Sequence, residues 1–237
     1  MKKKTASSKE LIKIFVGFAV SIALLITALI FVGCGAPAYE RLADNISELR
    51  ENIFEGANEN FELSIISGLR EEPFMLDGIA GTTREFTLAT LIPLSEISGV
   101  VKVKAIIDGT TFNGEFTKHP FAQTLSVEFA TRATGSEIIL TIFYNDYEQN
   151  ISAKSVLTEN MIGYQKALEI AENKLRNSLE VFREGSVLRC EIFIRLIPNQ
   201  IDNVGGFHWY VAFIGSEQQI FAALIDPITM QVVATRT

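Results

Sequence analysis

The sequence predicts an α+β ectodomain held behind one N-terminal transmembrane helix, and three observations predict it. An uncharged apolar run of transmembrane length lies near the start. Short Val-, Ile-, Thr- and Phe-rich runs separated by turn residues fill the middle. An amphipathic helical stretch followed by strand-like runs closes the chain.

Residues 1–13 form a basic leader in which Lys2, Lys3, Lys4, Lys9 and Lys13 are opposed only by Glu10. Residues 14–33, IFVGFAVSIALLITALIFVG, match the roughly 20 residues a helix needs to cross about 30 Å of hydrocarbon. Backbone polar groups in lipid must be satisfied internally, so the run is expected to be helical despite its β-branched residues. The lysine excess stays cytoplasmic and places the C-terminus outside, as a single-pass protein of the cell membrane. Removing the leader's five lysines and one glutamate from totals of 21 basic and 28 acidic residues leaves 16 against 27, a net charge of about −11. Such a surface excludes nucleic acid as a partner and disfavours anionic lipid.

The segment Phe31-Val32-Gly33-Cys34 resembles a bacterial lipobox, which offers a second anchor: acylation at Cys34, with residues 14–33 as a lipoprotein signal. Either anchor leaves the remainder tethered on the outer side of a bacterial-type envelope. The second cysteine, Cys190, lies in an apolar strand-like run and reads as a small core residue; no disulfide framework exists.

Tyr39, Leu42, Ile46, Leu49 and Ile53 recur at 3-4-3-4 spacing, which predicts an amphipathic juxtamembrane helix over 39–57. Its stripe either packs on the following domain or self-associates. Residues 58–158 are predicted to be a β-rich, sandwich-like domain, with strands at 61–67, 85–92, 100–107, 110–117, 123–130, 137–144 and 151–157. Asp108-Gly109 suits a two-residue hairpin turn, and Val101, Val103, Ala105 and Ile107 alternate with Lys102 and Lys104 to give one buried face.

Residues 160–237 form the last unit. A helix over 161–183 presents Ala167, Ile170, Ala171, Leu175, Leu179 and Phe182 on one face and stops at Gly185. Strands follow at 187–197, 207–215, 218–225 and 230–236. Ala167-Leu168-Glu169-Ile170-Ala171, Trp209-Tyr210-Val211 and Asp226-Pro227-Ile228-Thr229 together resemble the PepSY family of small extracytoplasmic domains, with Met230 where that family has glycine. The resemblance covers about 75 residues and implies a helix plus antiparallel meander, with peptidase inhibition or envelope sensing as the class of role. Independently of it, Asp226 can accept amide hydrogen bonds, Pro227 presets the first corner and Thr229 closes the turn through its hydroxyl, so these three are structural turn residues. An alternative architecture, two tandem α+β units, makes the 39–57 helix and its following strands a first copy of the last unit.

Motifs for catalysis are absent from the sequence: there is no GxSxG, HExxH, Walker loop or GxGxxG. His119 and His208 lack ligand-type neighbours at metal spacing, so no metal or cofactor is expected. The most polar stretch, 69–78, carries Arg70, Glu71, Glu72 and Asp77; it reads as a solvated inter-strand loop or as a site for a cation or basic peptide. Trp209 is assigned to the core together with Phe207 and Val211. Asn45-Ile46-Ser47 and Asn150-Ile151-Ser152 fit the glycosylation sequon, a modification out of place in a bacterial envelope. The expected function is a membrane-anchored, noncatalytic binding or regulatory protein whose partner is an unidentified protein, an envelope peptidase being the class the resemblance implies. A structural or assembly subunit of a membrane complex is the alternative, and a hydrolase with a dispersed site ranks last.

Overall fold

The computed structural model describes residues 42–185, 187–199 and 205–237. The basic leader, the apolar run, Cys34 and Tyr39 lie outside the described residues. No helix among the described residues is long and apolar enough to cross a membrane. Leu42–Thr237 forms one compact unit.

That unit is mostly β. Its strands are β1 (Ile46–Ala57), β2 (Phe61–Glu71), β3 (Thr83–Pro93), β4 (Val101–Ile107), β5 (Thr110–Glu115), β6 (Thr117–Lys118), β7 (Leu125–Phe129), β8 (Glu137–Tyr144) and β9 (Tyr147–Ser155). After the helix α1 (Tyr164–Leu179) and a 3₁₀ turn (Glu180–Phe182) come β10 (Arg183–Glu184), β11 (Val187–Leu188), β12 (Glu191–Pro198), β13 (Phe207–Ile214), β14 (Ile220–Ile225) and β15 (Val232–Arg236).

The expected α+β plan is corrected on three points. The 39–57 stretch is not an amphipathic helix, because Ile46–Ala57 is a twelve-residue strand. Its pairing slips in register between Ile46 and Glu48 on one side and between Arg50 and Asn52 on the other. These irregularities break the two-residue alternation, so the strand's apolar spacing imitates a helix. The middle is not a sandwich of two separate sheets, and the last strands are not a separate α+β unit. All the longer strands join one sheet whose centre is β1. Tandem α+β units fall with the first helix.

The sheet branches at β1. Antiparallel β2 runs along it; β12 pairs in parallel with its first half, from Ile46 to Arg50; β9 pairs antiparallel at Phe54 and Glu55. One branch continues β2-β3-β7, the other β9-β8-β4-β5. The two branches curl toward each other into a nearly closed barrel, and Phe112 on β5 meets Phe129 on β7 across the gap with ring centroids 5.9 Å apart. Alternation dictates the filling. Val101, Val103, Ala105 and Ile107 enter the barrel core with Phe54, Phe61, Ile65, Leu91, Leu140 and Ile142. The β4–β5 turn uses Asp108 and Gly109 at φ 48° and 79°, the positive pair a two-residue hairpin needs.

The other arm is the antiparallel meander β12-β13-β14-β15, which extends the sheet beyond β1. Helix α1 covers one face of it with Ala167, Leu168, Ala171, Leu175 and Leu179. Trp209, Val211 and Phe213 on β13 meet that helix face, and Trp209 Nε1–H donates to Ile162 O at 2.8 Å. Leu42, Leu49 and Ile53 are buried in the same core and Ile46 packs against it, so these members of the stripe face the chain's own interior.

Candidate functional site

Cross-strand register assembles a charged lattice on one face of β12-β1-β2-β3. One row runs Phe193, Glu48, Arg70, Arg84, and the next runs Arg195, Arg50, Gly68, Phe86. Ile66 and Leu88 follow, with Glu128 on β7 beside Leu88. Glu48 accepts from Arg50 Nε at 2.5 Å and from Arg195 Nε at 3.0 Å, with a further bond from Arg195 Nη2. Glu128 Oε1 bridges Arg70 Nη2 at 2.7 Å and Arg84 Nη2 at 2.8 Å, and Arg84 Nε also pairs with Glu72.

Aromatic faces support two of these cations. The Arg195 guanidinium lies 4.8 Å from the Phe193 ring centroid, and that of Arg70 lies 5.2 Å from Phe86. Phe74, from the β2–β3 loop, meets Phe193 at 6.1 Å. Between these groups lies an open groove of about 480 Å³, lined by Glu48, Arg50, Arg70, Glu71, Phe74, Phe86 and Arg195 among others. That volume is within the usual range for ligand sites.

Glu71 differs from its neighbours in this groove. It is only 5% exposed, and its buried Oε2 has no hydrogen-bond partner among the described residues. A carboxylate oxygen without a donor in such a place carries the full cost of its lost hydration. Gly81 closes over the same group: a β-carbon there would stand 2.1 Å from Glu71 Oε1. Deeper, Glu191 is fully buried; its Oε2 accepts from Ser47 Oγ at 2.8 Å and its Oε1 from Gly78 N at 3.2 Å. Burial pushes the Glu191 carboxyl up, the bonds from Ser47 and Gly78 pull it down, and the charges of Glu71 and Asp77 push it up again.

The residues singled out in the sequence are distributed unevenly around this groove. The 69–78 stretch supplies Arg70, Glu71, Glu72 and Phe74 to it, while Asp77 Oδ1 caps its own loop by accepting from Ile79 N at 3.0 Å. His119 is a turn residue whose Nδ1 accepts from Phe121 N and Ala122 N. His208 is buried on β13. No group of His, Cys, Asp or Glu among the described residues is arranged to hold a metal ion. Asp226 Oδ1 accepts from Ile228 N at 2.8 Å and Thr229 N at 2.9 Å, and the amide of Thr229 is the main cause that holds its carboxyl below the usual value. Asn45 Nδ2 donates to Leu188 O, and Asn150 Oδ1 accepts from Thr141 Oγ1.

Sequence reasoning missed Glu48, Arg50, Glu128, Glu191 and Arg195. A signal for one of them was present: Arg195 stands alone in the apolar run IFIRLI, and a charge inside a central strand needs a partner. No protein-family model matches the chain, and neither a curated protein nor a solved structure matches it.

Proposed function

We propose that the protein is a membrane-anchored, extracytoplasmic, noncatalytic module that binds a segment of another polypeptide in the groove over β12-β1-β2-β3. The apolar run at 14–33 behind its lysines supports the anchorage and the outward orientation; the lipobox-like Gly33-Cys34 supports acylation as the other form of the same tether. The observation that carries the binding reading is the unpartnered, buried Oε2 of Glu71, a residue that lines a groove of ligand size. A lysine or arginine side chain entering there supplies the missing donor, and its apolar neighbours lie along Phe74 and Phe86.

The groove's chemistry favours binding over turnover. Its lining contains no Ser, Thr, Cys or His, and Glu48, Glu72 and Glu128 are each committed to arginines. The resemblance of residues 160–237 to PepSY domains supports an envelope peptidase as the class of partner.

The test uses the full chain in lipid nanodiscs, titrated with an array of peptides that carry one central lysine or arginine between apolar residues. Binding to the wild type should weaken about ten- to a hundredfold in Glu71→Gln, the range expected for losing one buried charged hydrogen bond. Equal binding by wild type and variant, or no binding by the wild type, overturns the proposal.

A further inference from the structure

The end of the sheet beside this groove carries a second feature. β2 ends and β3 begins there, since Glu71 pairs with Thr83. β1 and β12 also start there, with Ile46 opposite Ile192. The described chain therefore enters at this end, where Leu42 O accepts from Asn45 N and Asn45 Nδ2 holds Leu188 O. The β2–β3 loop projects from it with four large apolar side chains in the open: Phe74, Met75, Leu76 and Ile79, exposed by 61%, 52%, 38% and 69%. Val187 stands beside them, 49% exposed, and shares a surface cleft with Ile79 and Asp44.

The loop is not a loose tip. Its base is tied by Glu72 N to Thr82 O at 3.0 Å and by Gly78 N to the buried Glu191. Gly78, at φ 80°, is pressed so closely on Gly215 and Ser216 that a β-carbon would lie 2.3 Å from Ser216 N. A held loop that keeps three consecutive apolar residues in water costs solubility without helping its own core, and such a patch marks an interaction surface. Exposed apolar residues also occur at the far end, at Leu94, Val100 and Phe121. Leu94 and Val100 lie on the β3–β4 loop and Phe121 on the β6–β7 loop, both remote from where the chain enters.

We infer that the 74–79 loop, with Val187, rests in the interfacial layer of the lipid bilayer that holds the N-terminal segment. This rests on the membrane-anchor reading above. Only residues 34–41 separate the apolar run from Leu42, and eight residues span at most about 28 Å. The tether thus keeps this end of the sheet near the bilayer, where Phe, Met, Leu and Ile side chains gain by leaving water. Asp44 and Asp77 lie at the patch, and Glu184 beside it is paired with Arg189 at 3.1 Å, so the surrounding charge is small and negative. The contact is therefore apolar and suits a zwitterionic lipid surface rather than an anionic one. Phe74 belongs both to this loop and to the groove, so the groove opens at the membrane surface and takes a polypeptide segment that lies close to it.

The test keeps the full chain in phosphatidylcholine liposomes, in a Cys34→Ser background. An environment-sensitive fluorophore is placed at Met75→Cys, at Ile79→Cys and, as a control, at Phe121→Cys. Phe121 lies near the opposite end of β3, which by its eleven residues is roughly 35 Å long. Labels at 75 and 79 should emit at shorter wavelength than the label at 121 and be quenched by lipids brominated near the glycerol backbone. Labels at 75 and 79 that match the 121 control, on protein that still floats with the liposomes, overturn the loop contact and leave the anchor intact. Protein that fails to float overturns anchorage by the apolar run, on which the inference depends, and the inference with it.

Discussion

Ser47 Oγ donates to Glu191 Oε2 at 2.8 Å, joining two residues 144 positions apart across the parallel pairing of β1 and β12. The bond places a fully buried acid directly beneath the loop that closes the groove. An acid whose folded value is raised binds its proton more tightly in the folded state. Its stabilising contribution is therefore complete below the unfolded value, about 4.3 for glutamate, and is lost as pH rises through the folded value.

Glu191→Gln keeps one acceptor, for Gly78 N, and offers its amide N–H to Ser47 Oγ, which can accept it, but cannot ionise. Urea unfolding from about pH 4 to pH 8 should show the wild type losing stability with rising pH more steeply than the variant. Parallel curves for the two proteins would refute this account of Glu191.

Cys190 adjoins that acid and is 2% exposed. Burial pushes its thiol up to about 12, the bond with Asn45 opposes this, and the Glu191 charge adds to it. The nucleophilic thiolate is then nearly absent at neutral pH. Intact-mass analysis after iodoacetamide at pH 8 should show no label on Cys190 in folded protein and full label in urea; rapid labelling of the folded form would count against a sealed core.

Met230 occupies a left-handed conformation at φ 61°, closing the turn through Met230 N to Asp226 O at 3.0 Å. A non-glycine residue pays roughly 1 kcal/mol for that backbone. Its side chain is half exposed, so little packing is lost on its removal. Met230→Gly should raise stability by about 0.5–1 kcal/mol, read as a higher urea midpoint with an unchanged slope. A lower midpoint would show that Met230 contributes contacts that outweigh the strain.

Gly68 pairs between Arg50 and Phe86, two residues that line the groove, next to the register slip of β1. A β-carbon there would stand 1.7 Å from Leu49 O, a backbone atom that cannot swing aside. Gly68→Ala should destabilise the protein by about 1–3 kcal/mol in thermal or urea unfolding, the range for overpacking a closed site. A neutral outcome would mean that β1 and β2 can separate locally at no cost.

The contrast between what was legible and what was not is clearest on β1 and β4. Val101–Ile107 alternates without interruption, and the same alternation is seen in its burial. Ile46–Ala57 carries the same kind of information, scrambled by two register slips, and its 3-4 spacing pointed to a helix. Within the groove, Glu71 and Glu72 stood out as a charged stretch, whereas Glu48 and Arg195 gave no local sign of sharing an ion pair. They are 147 residues apart.

From the sequence by itself came the apolar run and its lysine leader, the acidic charge, the alternating strands around Asp108-Gly109, a helix within 161–183, which the structure bounds at Tyr164–Leu179, and the Asp226 turn. Each depends on side chains within a few residues of one another, which is the range over which periodicity and turn chemistry act. Only the tertiary structure decided that β1 pairs three strands, that the middle and the end of the chain share one sheet, and that four arginines and the unpartnered Glu71 meet on its face. Those outcomes depend on which distant strands exchange backbone hydrogen bonds and in what register, and no local pattern in the chain specifies that choice.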